Sequence, residues 1–291
     1  MKALIGLDRF TDNRPVLDLF ARMGFADCRV TLAHSMPPQR PAAFVPIPTL
    51  AGGFEPAMNA PESKQVSQTI KLEAEKLLER DRHILYEAGI HCETALLLGS
   101  PGEELIRKAT EMNADLVCVT ATIRGGLKAA VLGSVCRTLT IGSRKSILIA
   151  KHRTKHNKPL TAVLATDQSA YCNKAIENLL KLNPMGMQKL IVLTAAPNEQ
   201  YDFDEFALDP SELLTECEKI ALKFQKLSME TECVVLEEPI VEAINQTMKA
   251  HHADLLIVAA QGHGFVERLL IGSTSLHEAV AENHSLLIMR N

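Results

Sequence analysis

An internal repeat constrains the fold of this 291-residue chain more than any other feature of its sequence. Residues 114–151 and 253–290 align without a gap, and both copies carry Ala-Asp-Leu near the start and Gly-Ser in the middle. A second match, KALIGLD against TAVLATD, places Asp8 and Asp167 at the same point of the two copies. Each copy is long enough to form a domain with its own core. The sequence therefore predicts two tandem domains.

The boundaries of these domains follow from the composition between the matched segments. Residues 152–159 are polar and basic and end in proline, as is typical of a linker, so we expect domains at 1–151 and 160–291. The first copy is 20 residues longer, and the surplus lies in residues 36–61, which are rich in Pro and Ala. Because proline lacks a backbone donor, this stretch predicts a long surface loop, either a lid or a partly disordered insertion.

Each copy alternates short apolar runs with amphipathic segments at helical spacing. Strands that are apolar throughout are typical of parallel sheets with both faces covered by helices, and their crossovers are right-handed. The sequence therefore predicts an α/β fold of two tandem doubly wound open sheets, with about five parallel strands each. The expected strands are Ala3–Leu7, Arg29–His34, His91–Leu97, Leu116–Thr120 and Ile147–Ala150, then Leu160–Thr166, Leu190–Ala195, Glu232–Leu236, Leu255–Ala259 and Leu286–Met289.

The amino-acid composition of the chain limits the classes of partner that we expect. A formal net charge of −4 gives no reason to expect nucleic acid, which usually requires a basic excess. No apolar run reaches the roughly 18 residues that span a bilayer, and the first residues lack a signal-peptide pattern, so we expect a cytoplasmic protein. Seven cysteines without a CxxC pair predict free, buried thiols, and no metal site is predicted.

The loop after the fourth expected strand of the second copy contains the candidate ligand-binding residues. Ala259 is followed by Gly262 three residues later, then by His263 and eight more residues, and then by Gly272-Ser273 at the expected start of a helix. Glycine lets an anion approach the backbone, and the first turn of a helix offers unpaired N–H groups. The hydroxyl of Ser273 and the side chain of His263 add polar groups. On its own, Gly-Ser before a helix is also an ordinary N-cap.

This loop and the frame around it resemble the ATP motif of the universal stress protein family, G-2x-G-9x-G-[S/T]. The three family glycines fall on Ala259, Gly262 and Gly272, so the first position departs from the pattern. The resemblance extends along both copies and implies a universal stress protein-like fold, of the adenine nucleotide alpha hydrolase-like kind. It also implies that Asp167 lies beside the adenosine of ATP, bound with or without Mg²⁺. The phosphates would be held by Gly272, Ser273 and Thr274.

The first copy keeps less of the same motif. Its first two family glycines fall on Thr120 and Ile123, and a β-branched residue there adds bulk where phosphate should approach. Gly133 and Ser134 remain, followed by Val135, together with Asp8 after the first strand. We therefore expect a degenerate first site, which serves as a packing partner or binds something else under the 36–61 loop.

Two functions of different class stay open. The first is a stress-associated regulatory protein that binds adenine nucleotide in its second domain alone, with at most slow ATP hydrolysis, since no general base or metal cluster beyond Asp167 is evident. The second is an interaction or scaffold protein in which both sites are degenerate, which the departure at Ala259 favours. In either case we expect the domains to pair about a pseudo-two-fold through their last strands, with a homodimer of chains also open.

Overall fold

The computed structural model describes residues 1–36, 46–48, 54–56, 60–121, 133–151, 160–195, 210–259 and 284–291, with backbone only for residues 46–48, 54–56 and 60–67. The helices are α1 (Arg14–Met23), α2 (Ala60–Glu87), α3 (Pro101–Glu111), α4 (Ser134–Gly142), α5 (Ala170–Leu182), α6 (Pro210–Gln225) and α7 (Ile240–Ala250). The strands are β1 (Lys2–Leu7), β2 (Arg29–Met36), β3 (Pro46–Pro48), β4 (Phe54–Pro56), β5 (Cys92–Leu98), β6 (Leu116–Thr120), β7 (Ser146–Ala150), β8 (Leu160–Ala165), β9 (Met187–Ala195), β10 (Glu230–Leu236), β11 (Leu255–Ala259) and β12 (Ser285–Met289).

Ten of these strands form one sheet in the order β10-β9-β8-β11-β12-β7-β6-β1-β2-β5. Every neighbouring pair is parallel except β7 and β12, which are antiparallel. Within each half the strands are parallel and separated by helices, so the predicted α/β class is confirmed. The ten strands are those expected from the apolar runs, with ends that differ by three residues or fewer.

Helices cover both faces of the sheet, which is why its strands are apolar throughout. Along β7, Leu148 and Ala150 contribute to one buried cluster, whereas Ile147 and Ile149 contribute to the other. The first cluster includes residues of α1, α2, α5 and α6, and the second includes residues of α3, α4 and α7. All seven cysteines are free, as predicted; four are buried, and Cys28, Cys92 and Cys233 are partly exposed.

The segment 36–61, expected to form a long surface loop, contains two short strands. Within it, β3 and β4 pair antiparallel, with Pro46 opposite Pro56 and Ile47 opposite Glu55, and α2 already begins at Ala60. Proline excludes a residue from a central strand but not from an edge strand, and a two-stranded sheet consists only of edges. The rest of this stretch lies outside the described residues.

The two halves meet along β7 and β12 through equivalent residues. Leu287 lies opposite Leu148, and the backbone N–H of Lys151 donates to Ser285 Oγ at 3.2 Å. Reciprocally, the N–H of Arg290 donates to Ser146 Oγ at 3.1 Å. Lys151 and Arg290 are equivalent residues, 139 positions apart, and so are Ser146 and Ser285. The contact is therefore self-complementary, as in an isologous interface.

A second contact joins the turns that follow α1 and α5. Phe25 and Pro184 form an isolated antiparallel bridge, and the N–H of Gly186 donates to the carbonyl of Met23 at 2.9 Å. The backbones are so close that a Cβ built on Gly186 would lie 1.9 Å from the carbonyl oxygen of Arg22. Only glycine fits this approach of one half to the other.

Candidate functional site

A cavity of about 790 Å³ opens at the carboxyl ends of the first-half strands. It is lined by all four first-half candidates, Asp8, Gly133, Ser134 and Val135. Ligands of doubly wound sheets bind outside these strand ends, and small-molecule sites usually measure about 300–1,000 Å³. The structure therefore brings the first-half candidates together around a space large enough for a small ligand.

The first turn of α4 forms one wall of this cavity. The helix begins after Gly133, whose carbonyl accepts the N–H of Arg137, and Gly133 as the N-cap residue has no side chain to bond the first amides. The first turn holds no acidic residue, so the partial positive charge of the helix is not neutralised there. Cys136 also lines the cavity, but burial raises the pKa of its thiol to about 12, which keeps it protonated. The wall therefore offers backbone donors suited to one anionic group.

The loop that carries Asp8 is fixed by hydrogen bonds from inside the protein. The Asp8 carboxylate accepts from the N–H of Phe10 at 3.0 Å and from Thr11 Oγ1 at 2.8 Å. The side chain of Asn13 accepts from the N–H of Asp8 and donates to its carbonyl, both at 3.0 Å. Asn13 Nδ2 also donates to Asp81 Oδ2 at 2.8 Å, and Asp81 on α2 is 1% exposed. A buried carboxylate thus positions Asp8 through Asn13.

The second half replaces this polar pair with other residues. Cys172 stands where the first half has Asn13, and Ile220 stands where it has Asp81, counted from the matched turns before β5 and β10. Burial alone would raise the pKa of Asp167, but hydrogen bonds from Cys172 and from Ser169 outweigh it and lower the pKa below its usual value. Asp167 is therefore ionised at neutral pH.

The two halves have different residue pairs at these positions, and this difference gives a double-mutant prediction. Asp81→Ile is expected to cost about 2 kcal/mol of unfolding free energy, because Asn13 Nδ2 loses a buried acceptor. Adding Asn13→Cys, which reproduces the second-half pair, is expected to cost about 1 kcal/mol less than the sum of the two single changes. Urea unfolding of the wild type, both single variants and the double variant measures this coupling. Strictly additive costs would contradict a direct interaction between the two side chains.

The halves also differ where β2 and β9 end. His34, 6% exposed, lies with its Nδ1 2.9 Å from the carbonyl of Leu7, and because a carbonyl only accepts, Nδ1 carries the proton. The register of the strands makes Thr194 the counterpart of His34. Thr194 Oγ1 accepts from Gln168 Nε2 at 3.1 Å, and Gln168 Nε2 also donates to the Leu213 carbonyl at 2.9 Å. The Gln168 side chain therefore bonds to the residue that stands in the place of His34.

The first-half counterpart of Gln168 is Arg9, which has different partners. Arg9 lies over the exposed ring of Phe10, 4.4 Å from its centroid, and pairs with Glu73 at 3.4 Å. Sequence reasoning missed His34, Asn13, Asp81 and Gln168. A histidine in an otherwise apolar strand was the available signal for the first, whereas the partners of the others are distant in sequence.

Of the second-half candidates, the structure describes Asp167 and Ala259. They follow β8 and end β11, which are paired neighbours, and Ala259 lines one small apolar cavity together with Thr166 and Cys172. The remaining candidates and the linker at 152–159 lie outside the described residues. Those candidates are Gly262, His263, Gly272, Ser273 and Thr274.

The described ranges hold no group of three or more His, Cys, Asp or Glu side chains arranged to bind a metal ion. In the same ranges, no helix has both the length and the apolarity to cross a membrane.

The sheet and its cavity define an α/β protein with a cavity of small-molecule size at the ends of its first-half strands. The sequence profile of the universal stress protein family matches residues 1–151 and again 161–283, so the chain belongs to that family as a tandem member. A universal stress protein of Archaeoglobus fulgidus has a similar structure over 99% of this chain and 98% of its own, with a TM-score of 0.69 at 16% identity. One of Pseudomonas aeruginosa matches 99% and 92%, with a TM-score of 0.56 at 14% identity.

Curated relatives match over shorter segments. Universal stress protein MJ0531 of Methanocaldococcus jannaschii is 28% identical over 90 residues, which is 31% of this chain and 53% of the relative. Universal stress protein YxiE of Bacillus subtilis is 30% identical over 87 residues, 30% of this chain and 59% of the relative. The chain thus spans little more than half the length of these two relatives.

Proposed function

We propose that this chain is a stress-associated regulatory protein that binds adenine nucleotide, with ATP held in the second domain, residues 160–291. The observation that carries the proposal is the cavity beside Asp8 and Gly133, because it lies at the strand ends where the family motif would bind its ligand. The second half repeats the frame around this cavity, with Asp167 and Ala259 at equivalent strand ends.

The sequence of the second half supports ATP there more strongly than that of the first. Gly262 and Gly272 keep the glycines that let phosphate approach the backbone, and the resemblance assigns the phosphates to Gly272, Ser273 and Thr274. An ionised Asp167 just after β8 is suited to accept hydrogen bonds from ribose hydroxyls. His263 and a Mg²⁺ ion bound to the phosphates would complete the site.

We assign the bound nucleotide a regulatory role rather than the role of a rapidly hydrolysed substrate. No general base or metal cluster beyond Asp167 is evident in the sequence, so hydrolysis would be slow at most. The proposal includes domains at 1–151 and 160–291 paired about a pseudo-two-fold, supported by the reciprocal bonds of Ser146 and Ser285, and a cytoplasmic location.

The direct test uses the full chain purified without added nucleotide. After denaturation, chromatography of the supernatant is expected to detect ATP or AMP in an amount comparable to the protein. If none is retained, equilibrium binding is measured with ATP up to millimolar concentration. Protein that neither carries nor binds adenine nucleotide would instead favour the interaction or scaffold function that the departure at Ala259 suggests.

A further inference from the structure

The side of α6 that faces solvent exposes leucines where its first-half counterpart carries polar residues. Leu214 is 39% exposed and Leu222 is 55% exposed. Counted from the matched turns before β5 and β10, they stand where α2 has the exposed Glu75 and His83. Leu227 follows the end of α6, so three of the nine large apolar side chains that are exposed in the described part of the chain lie along this helix. Scattered apolar residues are ordinary on a surface, whereas a cluster indicates an interaction site.

The exposed leucines of α6 lie on the flank of the helix that faces the edge of the sheet. Gln225 Nε2 donates to Thr231 Oγ1 of β10 at 2.8 Å, and the two leucines within α6 stand three and eleven residues before Gln225, on the same flank. On the other flank, Lys223 Nζ donates to Glu177 Oε1 of α5 at 2.6 Å. β10 is the last strand of the sheet on this side, and its residues after the first are all partly exposed. The apolar flank of α6 and a partly exposed edge strand therefore adjoin at the end of the second half.

The charged residues of α6 are segregated by sign along the helix. From position 210 to position 226 every acidic residue precedes every basic one: the acidic residues are Glu212, Glu216 and Glu218, and the basic residues are Lys219, Lys223 and Lys226. The equivalent stretch of α2 mixes the two signs, with Arg82 between Glu79 and Glu87. Two copies of α6 side by side attract each other when they are antiparallel, because each acidic half then lies beside a basic half and the helix dipoles also oppose. A two-fold axis between two copies of the chain gives this arrangement.

We propose that the surface formed by α6 and β10 is the interface of a homodimer, and that the same surface of a second copy of this chain occupies it. The two α6 helices pack antiparallel with their exposed leucines buried between them, and the contact also covers the edge strand β10. Sheets rarely leave an apolar edge open, because its backbone groups pair with other chains. β10 ends the strand order, away from the seam of β7 and β12, so the dimer leaves the pairing of the two halves intact. The interface is independent of the proposed nucleotide site.

Leu222→Glu tests the apolar part of this interface. Sedimentation of the wild-type chain is expected to give twice the 31.9 kDa mass of one chain. A carboxylate in place of Leu222 would be buried against the second copy, so the dissociation constant of the dimer is expected to rise at least about tenfold. Leu72→Glu is the matched control, because Leu72 is 52% exposed on α2, and it is expected to change the constant less than about twofold. A wild type that stays monomeric up to millimolar concentration, or a dimer that Leu222→Glu leaves intact, would overturn the proposal.

A charge exchange tests the antiparallel orientation with exposed residues alone. Glu212→Lys combined with Glu218→Lys makes α6 largely basic, and both positions are exposed. Lys219→Glu combined with Lys226→Glu makes it largely acidic, again at exposed positions. Each double variant is expected to self-associate at least about tenfold more weakly than the wild type, whereas an equimolar mixture of the two is expected to form a heterodimer. Double variants that self-associate as the wild type does, or a mixture that stays monomeric, would overturn the antiparallel contact.

Discussion

A Gly186→Ala chain is expected to lose about 3 kcal/mol of unfolding free energy. The added Cβ would lie 1.9 Å from the carbonyl oxygen of Arg22, which is backbone and cannot turn aside as a side chain would. Relief requires the turn after α5 to move away from the turn after α1, which lengthens the hydrogen bond from Gly186 to Met23. Urea unfolding compared with the wild type measures the loss.

Gly89→Ala is the matched control for this change. Gly89 has a φ of +79°, and a Cβ there would meet no atom within 4 Å, so only backbone strain of about 1 kcal/mol is expected. Equal losses from the two variants would mean that the close contact between the halves does not form in solution.

Gly272→Val is expected to abolish nucleotide retention while leaving the unfolding free energy within about 0.5 kcal/mol of the wild type. At the expected start of a helix, a valine side chain would occupy the space where phosphate should approach the backbone amides. Retention is measured as the ATP or AMP released per protein on denaturation.

Gly133→Val, the same change 139 residues earlier, is the control within the chain. Because we propose that the functional ATP site lies in the second domain, ATP retention should be unchanged in this variant. Equal losses from both changes would contradict that assignment, and loss from Gly133→Val alone would transfer the ATP site to the first domain.

The strands were the most predictable part of this fold. β7 and β12 are buried along their full length, so every residue must be apolar or internally bonded, and such runs are visible without knowledge of their neighbours. The hairpin of β3 and β4 was not predictable, because proline content indicates what a segment cannot pair with and says little about short edge pairing.

The candidate site could be predicted from the sequence only at positions whose role depends on the backbone. Gly133-Ser134 before a helix is a local pattern, and the structure places it on the cavity wall. The hydrogen bonds that position Asp8 join Asn13 to Asp81 across 68 residues, and the contact beside β9 joins Gln168 to Thr194 across 26. A sequence does not show which polar side chains meet when they belong to different elements.

The single reversal of strand direction, between β7 and β12, determines how two bound ligands would be placed. The five first-half strands of this sheet end at one rim, and its five second-half strands end at the opposite rim. Molecules bound at the two rims would therefore lie at opposite ends of the strands and could not contact the same side chain. Any influence of one on the other has to be transmitted through the sheet, along five-residue strands about 17 Å long.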